Sequence, residues 1–233
     1  MQTIDFRYFP LAPNDVMLDL GCGEGRHCIN AYLHENIISI GVDLSFRDLQ
    51  TTMQKFEPFA SMGQGKFYLQ QVNADKLPFA DASIDKIICS EVLEHIEDYS
   101  IVLAEIYRVL KPNGLVAISV PRYWPEKICW WLSDAYHQVQ GGHIRIFKSK
   151  TLKQSLTNSG FILYKRHWAH ALHVPYWWLK CLFWKSQDNS RLIKLYHRFL
   201  VWDLMQKPWL TKTLEKCLNP VIGKSVVMYF VKQ

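Results

Sequence analysis

Three things are scarce in this chain, and each scarcity excludes something. Cysteine comes first: the six that occur, at positions 22, 28, 89, 129, 181 and 217, form no CxxC pair and no dense cluster. That argues against a disulfide framework and a zinc knuckle, and predicts a reducing, cytoplasmic setting. Long apolar runs are next. The longest late stretch without charge, between Arg166 and Lys180, falls short of the roughly 20 residues a spanning helix needs. The start, MQTIDFRYFPLAPND, lacks the basic and apolar regions of a secretory leader, because Asp5 and Arg7 interrupt it early. A soluble or membrane-peripheral protein is expected. Acidic charge is the third scarcity, in the last third of the chain. Residues 161–233 carry 12 Lys/Arg against only Asp188, Asp203 and Glu215, whereas residues 1–160 carry 15 against 18. All nine tryptophans lie at or beyond Trp124, so one region is both cationic and rich in amphipathic rings.

With 49% hydrophobic and 21% charged residues over 233 positions, the composition suits one globular domain with an elaboration. Short apolar, β-branched runs at Val16–Leu20, Ile37–Asp43, Lys66–Val72, Ile84–Cys89 and Leu115–Val120 predict strands. Between them, Arg26–Asn36, a segment capped by Ser45 and running to about Glu57, and Glu91–Leu110 predict helices. Lys-Pro-Asn-Gly at 111–114 stops the last of these. Alternating strands and helices imply a doubly wound α/β fold with a parallel sheet and right-handed crossovers. Further on, Pro125–Gln138 and Ser149–Ser159 predict helices and Gly141-Gly142-His143 a break. Two strand-like runs, Phe161–His167 and Ser225–Val231, enclose a Trp-rich, basic, mostly helical stretch far longer than an ordinary connection.

Asp19-Leu-Gly-Cys-Gly-Glu-Gly25 follows the first strand and opens a helix. Its glycines permit a tight turn and close backbone approach, and the helix start favours an anionic ligand group. Such a turn alone is shared with nicotinamide and flavin binders. Its spacing here is GxGxG, and Asp19 is placed to meet an ammonium group. Asp43 ends the second strand, where a carboxylate accepts ribose hydroxyls, and Asn73-Ala74-Asp75 follows the third, where another accepts from an adenine amino group. Together they describe a site for a cationic amino-acid nucleoside.

On these segments, LDLGCGEGR, VDLS, NADKLPFADASIDKIICSEVLEHI and LKPNGLVAISVP, the chain resembles the class I S-adenosylmethionine-dependent methyltransferases over about residues 12–165. The branch is the small-molecule one, similar to the type 11 and ubiquinone-biosynthesis enzymes. The resemblance implies a Rossmann-like seven-stranded sheet whose last strand, Ser225–Val231, is antiparallel. It implies one methyltransferase domain over residues 1–233, with a core of 12–167 plus 224–232 and residues 168–223 as a helical lid or substrate insert. It also implies S-adenosylmethionine as cofactor, with Gly21, Gly23 and Gly25 along its methionine part, Asp43 at the ribose and Asp75 at the adenine. Asp19, Cys22, Leu44, Asn73, Ala74 and Ser90 complete the expected cofactor contacts.

The sulfonium methyl is already activated, so the protein needs to align an acceptor and remove a proton. His143, on its glycine-flanked loop, is the expected base, with His95 and Glu91 as further catalytic candidates. Glu91, Glu94 and His95, at i, i+3 and i+4 of the predicted helix, share a face. With His143 they resemble the divalent-ion site of certain ubiquinone-biosynthesis O-methyltransferases and small-RNA 2′-O-methyltransferases, although Glu-x-Leu-Glu-His also occurs in the branch without metal. The Asn/Asp-Pro-Pro-aromatic motif of amino-group methyltransferases of DNA is absent after the fourth strand, which argues against an adenine-N6 or glutamine acceptor.

The Trp-rich insert reads either as a helical cap packed on the core or as a lid over an apolar acceptor, resting on an anionic bilayer through its Trp and Lys/Arg. The expected acceptor is a small hydrophobic, lipid-like or aromatic molecule, methylated at oxygen, with carbon as a second option. Two rivals stand beside it: a metal-assisted RNA methyltransferase, disfavoured by the modest net charge of +6, and a non-catalytic scaffold that binds the same cofactor.

Overall fold

A computed structural model describes residues 2–139, 141–206 and 208–233. Seven strands, β1 (Val16–Leu20), β2 (Ile38–Asp43), β3 (Lys66–Gln71), β4 (Ile84–Ser90), β5 (Leu110–Pro121), β6 (Phe161–Ala169) and β7 (Ser225–Lys232), form one sheet in the order β3-β2-β1-β4-β5-β7-β6. β1 through β5 pair in parallel, and β7 runs antiparallel to both β5 and β6. The order reverses between β1 and β4, so the carboxyl ends of these strands flank the crevice where ligands bind in such sheets.

Strand alternation sorts the core into two layers. Leu18 and Leu20 of β1, Ile87 and Cys89 of β4 and Val116 and Ile118 of β5 face one side, packed by Val102, Leu103 and Ile106 of α3 (Tyr99–Val109) and by Leu152 and Leu156 of α6 (Ser149–Asn158). Met17, Ile88, Ala117 and Tyr229 face the other, against α1 (Arg26–His34) and α2 (Phe46–Phe56). Ile4, Phe6 and Phe9 also pack into this second layer, so the amino-terminal segment contributes to the core ahead of residue 12. The Asp5 amide donates to the Tyr229 hydroxyl at 2.8 Å.

The helix expected over Glu91–Leu110 is shorter, and the reason is local. Glu91 adopts a left-handed backbone (φ 58°), Leu93–His95 form a single 3-10 turn, and the Asp98 side chain accepts from the Ser100 amide to start α3. The predicted Pro125–Gln138 helix is two pieces, α4 (Tyr123–Leu132) and α5 (Asp134–Gln138), parted at extended Ser133. Between β6 and β7 lie a 3-10 turn (Ala171–His173), α7 (Val174–Leu182), a second turn (Trp184–Ser186), α8 (Arg191–Gln206) and α9 (Trp209–Ile222). No helix among the described residues is long and apolar enough to cross a membrane.

Lys232, at the end of β7, is buried, and its ammonium donates to the carbonyls of Tyr107 and Leu110 at 2.5 and 2.7 Å. It satisfies carbonyls that the end of α3 leaves free. Lys232→Met keeps the apolar stem and strips both bonds. The expected loss is about 1–3 kcal/mol in urea unfolding at unchanged slope; an unshifted midpoint means these carbonyls find another donor at no cost.

Candidate active site

The loop from β1 to α1 is held by backbone. Its Gly21 and Cys22 amides donate to the Val42 carbonyl at 2.8 and 3.0 Å, which ties the loop to the end of β2. The Gly23 amide donates to one carboxylate oxygen of Asp43 and the Ser45 amide to the other, both at 2.8 Å. Gly21 has φ +69°, and a Cβ there would lie 2.4 Å from a Val92 methyl. Gly23 has φ +50°, and a Cβ there would meet nothing within 4 Å. Gly21 is thus required by packing, whereas Gly23 leaves bare backbone facing open space, the form a ligand cradle takes. Helix α1 begins after Gly25, whose side makes no cap.

Asp19 takes a different place from the one its motif suggests. It is 1% exposed, and one carboxylate oxygen accepts from the Cys28 amide in the first turn of α1 at 3.0 Å. Burial pushes its carboxyl up to about 7, against the pull of that hydrogen bond. Cys22 is buried beside it in the loop. Asp43 is half-buried and Leu44 beyond it exposed. Asn73 and Asp75 are exposed and bonded to each other, side-chain amide to carboxylate at 3.3 Å and Asp75 amide to Asn73 Oδ1 at 3.2 Å, with Ala74 half-buried between them. These groups crown β1, β2 and β3 with glycine backbone and carboxylates, which fits S-adenosylmethionine: a helix start for its carboxylate, and Asp43 and Asp75 for its ribose and adenine.

The far side of the site is built after β4 and β5. Ser90 shares a 2.8 Å hydrogen bond with Ser119, whose hydroxyl donates to Glu91 Oε1 at 2.9 Å. Glu91 is therefore drawn toward β5. Glu94 is fully buried, with neither carboxyl oxygen meeting a partner among the described residues, and burial followed by the Glu91 charge drives its carboxyl well above the usual range. The His95 Nδ1–H donates to the Gly142 carbonyl at 3.2 Å, leaving Nε2 outward, and burial lowers its pKa. His143 stands 5.0 Å from His95, ring to ring. Its Nδ1–H donates to Glu126 Oε1 at 2.5 Å, which in the neutral ring leaves the lone pair on Nε2. Burial raises the Glu126 carboxyl, but the hydrogen bond and charge of His143 outweigh it and the group sits below its ordinary value.

Of the four residues read as a potential ion site, Glu94, His95 and His143 place ligand atoms within 4.8 Å of one another, and Glu91 lies outside the group on Ser119. The shared helix face fails because Glu91 is left-handed and precedes the 3-10 turn. Sequence reasoning missed Glu126. Its signal was a lone carboxylate in the otherwise apolar YWPEKICWWL segment.

Aromatic side chains of the insert close over this side. Tyr136 packs edge-on against His143, Trp177 and Trp184 at centroid distances of 6.0, 6.0 and 6.2 Å. Trp178 donates its indole N–H to the Pro125 carbonyl at 3.1 Å. Lys224, just before β7, sits over Trp177 and is close enough for its charge to lower both Glu94 and Glu126.

Residues 18–118 match the family model described as a methyltransferase domain. The chain is 33% identical over 103 residues to an O-methyltransferase (rstn1) of Aspergillus nomiae, covering 44% of this chain and 45% of that protein. To a ubiquinone/menaquinone biosynthesis C-methyltransferase of Geotalea daltonii it is 34% identical over 117 residues, 48% of this chain and 49% of the other. The chain spans about half the length of the curated relatives it matches. Its fold superposes on an S-adenosylmethionine-dependent methyltransferase of Methanosarcina mazei with a TM-score of 0.64 at 16% identity, covering 100% of this chain and 99% of that one. Residues 18–118 are thus similar to a methyltransferase domain, the fold over the whole chain is that of the Methanosarcina enzyme, and the two together support a methyltransferase that uses S-adenosylmethionine.

Proposed function

We propose that this chain transfers the methyl group of S-adenosylmethionine to an oxygen of a small hydrophobic, lipid-like or aromatic acceptor. The observation that carries the reading is the Glu126–His143 pair under the aromatic roof, with a free imidazole nitrogen on the same edge of the sheet as the glycine loop. The bound cofactor supplies an already activated sulfonium methyl. The start of α1 would hold its carboxylate, Gly23 leaves room for it, and Asp43, fixed by two amides, keeps lone pairs for the ribose hydroxyls. The acceptor hydroxyl gives its proton to His143 Nε2, and Glu126 balances the charge that develops on the ring. Tyr136, Trp177 and Trp184 exclude water and offer apolar, ring-lined surface to the acceptor.

The insert also supports contact with an anionic bilayer. Lys180, Arg191, Lys194, His197 and Arg198 line a cleft of about 730 Å³ between α7 and α8. Trp202, Met205, Trp209 and Leu210, on α8 and α9, are at least half exposed. Cationic clefts beside exposed indoles suit the headgroup region. A second reading keeps the donor but adds a divalent ion at Glu94, His95 and His143, favoured by the unpartnered Glu94 carboxylate. Such an ion would polarise the acceptor hydroxyl. Activity that survives exhaustive chelation removes this second reading.

Asp43→Ala is expected to abolish cofactor binding in calorimetry, since it removes both the ribose acceptor and the anchor of Gly23; unchanged affinity would overturn the assignment of the ribose site. His143→Ala and Glu126→Gln should each lower kcat by about 10²–10⁴ while cofactor affinity holds. Turnover at the wild-type rate in either variant would return that residue to a structural role. In co-sedimentation, the protein is expected to pellet with phosphatidylglycerol vesicles and remain free with phosphatidylcholine; equal partition to both would sink the bilayer reading. Label from radioactive cofactor should pass into the organic phase of a cell extract, and label confined to RNA or protein contradicts the proposed acceptor.

A further inference from the structure

Away from the methyl-transfer site, the insert gathers a second set of metal-ligating side chains. His170 follows the last residue of β6 in a left-handed conformation (φ 67°), and the 3-10 turn Ala171–His173 brings His173 back beside it. Helix α9 lays Glu215 across the pair. Ligand atoms of His170, His173 and Glu215 all lie within 4.8 Å of one another. Asp203, on α8, is near enough for its charge to act on both His173 and Glu215. His170 Nε2 meets Thr3 Oγ1 at 3.1 Å, a contact that orients the ring.

This arrangement is costly as a mere packing feature. The buried His173 Nδ1 finds no hydrogen-bond partner among the described residues, and two imidazoles converge with a carboxylate on one point. Lys224 and Arg26 also act on these histidines and oppose a cation. The Glu215 carboxylate, with the charge of Asp203 nearby, offsets that opposition. The surroundings are reachable, because His170 and Glu215 line a cleft of about 1060 Å³ between the amino-terminal segment, β6 and α9.

We propose that His170, His173 and Glu215 form a site for a divalent transition-metal ion, zinc first, with solvent as the fourth donor. Two imidazoles and one carboxylate without thiolate suit tetrahedral Zn2+ and accept Co2+ as a spectroscopic substitute. The ion joins the turn after β6 to α9. Val174 opens α7 directly after His173, so the ion fixes the start of the helix that carries Trp177 and Trp178 toward His143. It is a fastening for the aromatic roof, and it shares no residue with Glu94, His95 and His143.

The test is a Co2+ titration of metal-stripped, full-length protein in the His143→Ala background, which disables the other cluster. The expected result is a single equivalent with the intense visible absorption of tetrahedral Co2+, displaced by Zn2+. Adding His173→Ala with Glu215→Gln should weaken binding by at least about 100-fold. His173→Ala alone should also weaken Co2+ binding with the fold intact by circular dichroism. Absence of a tetrahedral spectrum in the parent overturns the site, and so does a double variant that binds as tightly as its parent.

Discussion

Two backbone amides, one from the loop after β1 and one from the loop after β2, converge on the carboxylate of Asp43. Because β1 and β2 pair in parallel with Leu20 opposite Val42, both loops leave the sheet at the same edge. The Val42 carbonyl takes two further amides from the first loop. Backbone that would otherwise be mobile is therefore fixed against a strand, with no side chain at Gly23 to occupy the space in front of it. Val92, packed on Gly21, carries that constraint to the segment that holds Glu94 and His95. A cradle and a catalytic edge set by the same few contacts are held in register before any ligand arrives.

The parts of this design that were legible are those encoded over a few residues. Short apolar, β-branched runs located all seven strands, and Ser45 caps α2 as its side chain suggests, accepting from the Asp48 amide. The glycine spacing located the turn between β1 and α1. Glu91–Leu110 was read as one helix because its apolar periodicity continues through the turn, whereas Asp98 marks the true start by capping. Tertiary relations were not legible. Glu126 finds His143, 17 positions on, only once α4 and α5 have folded, and its burial is a property of the assembled roof. Ile4, Phe6 and Phe9 are too irregularly spaced to signal that they cover one face of the sheet. The His-x-x-His at 170–173 is visible in the sequence, but Glu215 reaches it from a separate helix.

Sheet topology explains why a Trp-rich insert stands over the chemistry. Ser225, the first residue of β7, pairs with Pro121 at the carboxyl end of β5 and with Ala169 at the end of β6. Since β7 is antiparallel, the chain that leaves β6 and the chain that enters β7 do so at the same edge, the one bearing the glycine loop. The insert between residues 170 and 224 consequently leaves and rejoins the sheet on the ligand side. An insertion at the opposite ends of the strands would have added surface without touching the site.

That placement also sets the electrostatics. Helices α4 and α7 bury Glu126 and Glu94 near one another, and two adjacent carboxylates in an apolar enclosure cannot both stay charged at little cost. The difference between them is what each one meets. Glu126 has an imidazole N–H, an indole N–H from Trp130 and a tyrosine hydroxyl, and it sits below the ordinary range; Glu94 has no partner among the described residues and is driven upward. One acid is thereby kept as a fixed negative charge behind His143, and its neighbour is pushed toward the neutral form. Lys224, delivered where the insert rejoins the sheet, moderates both. In the proposed role of His143 as base, the ring would gain its proton beside a charge of opposite sign that is already in place and need not be assembled during the reaction.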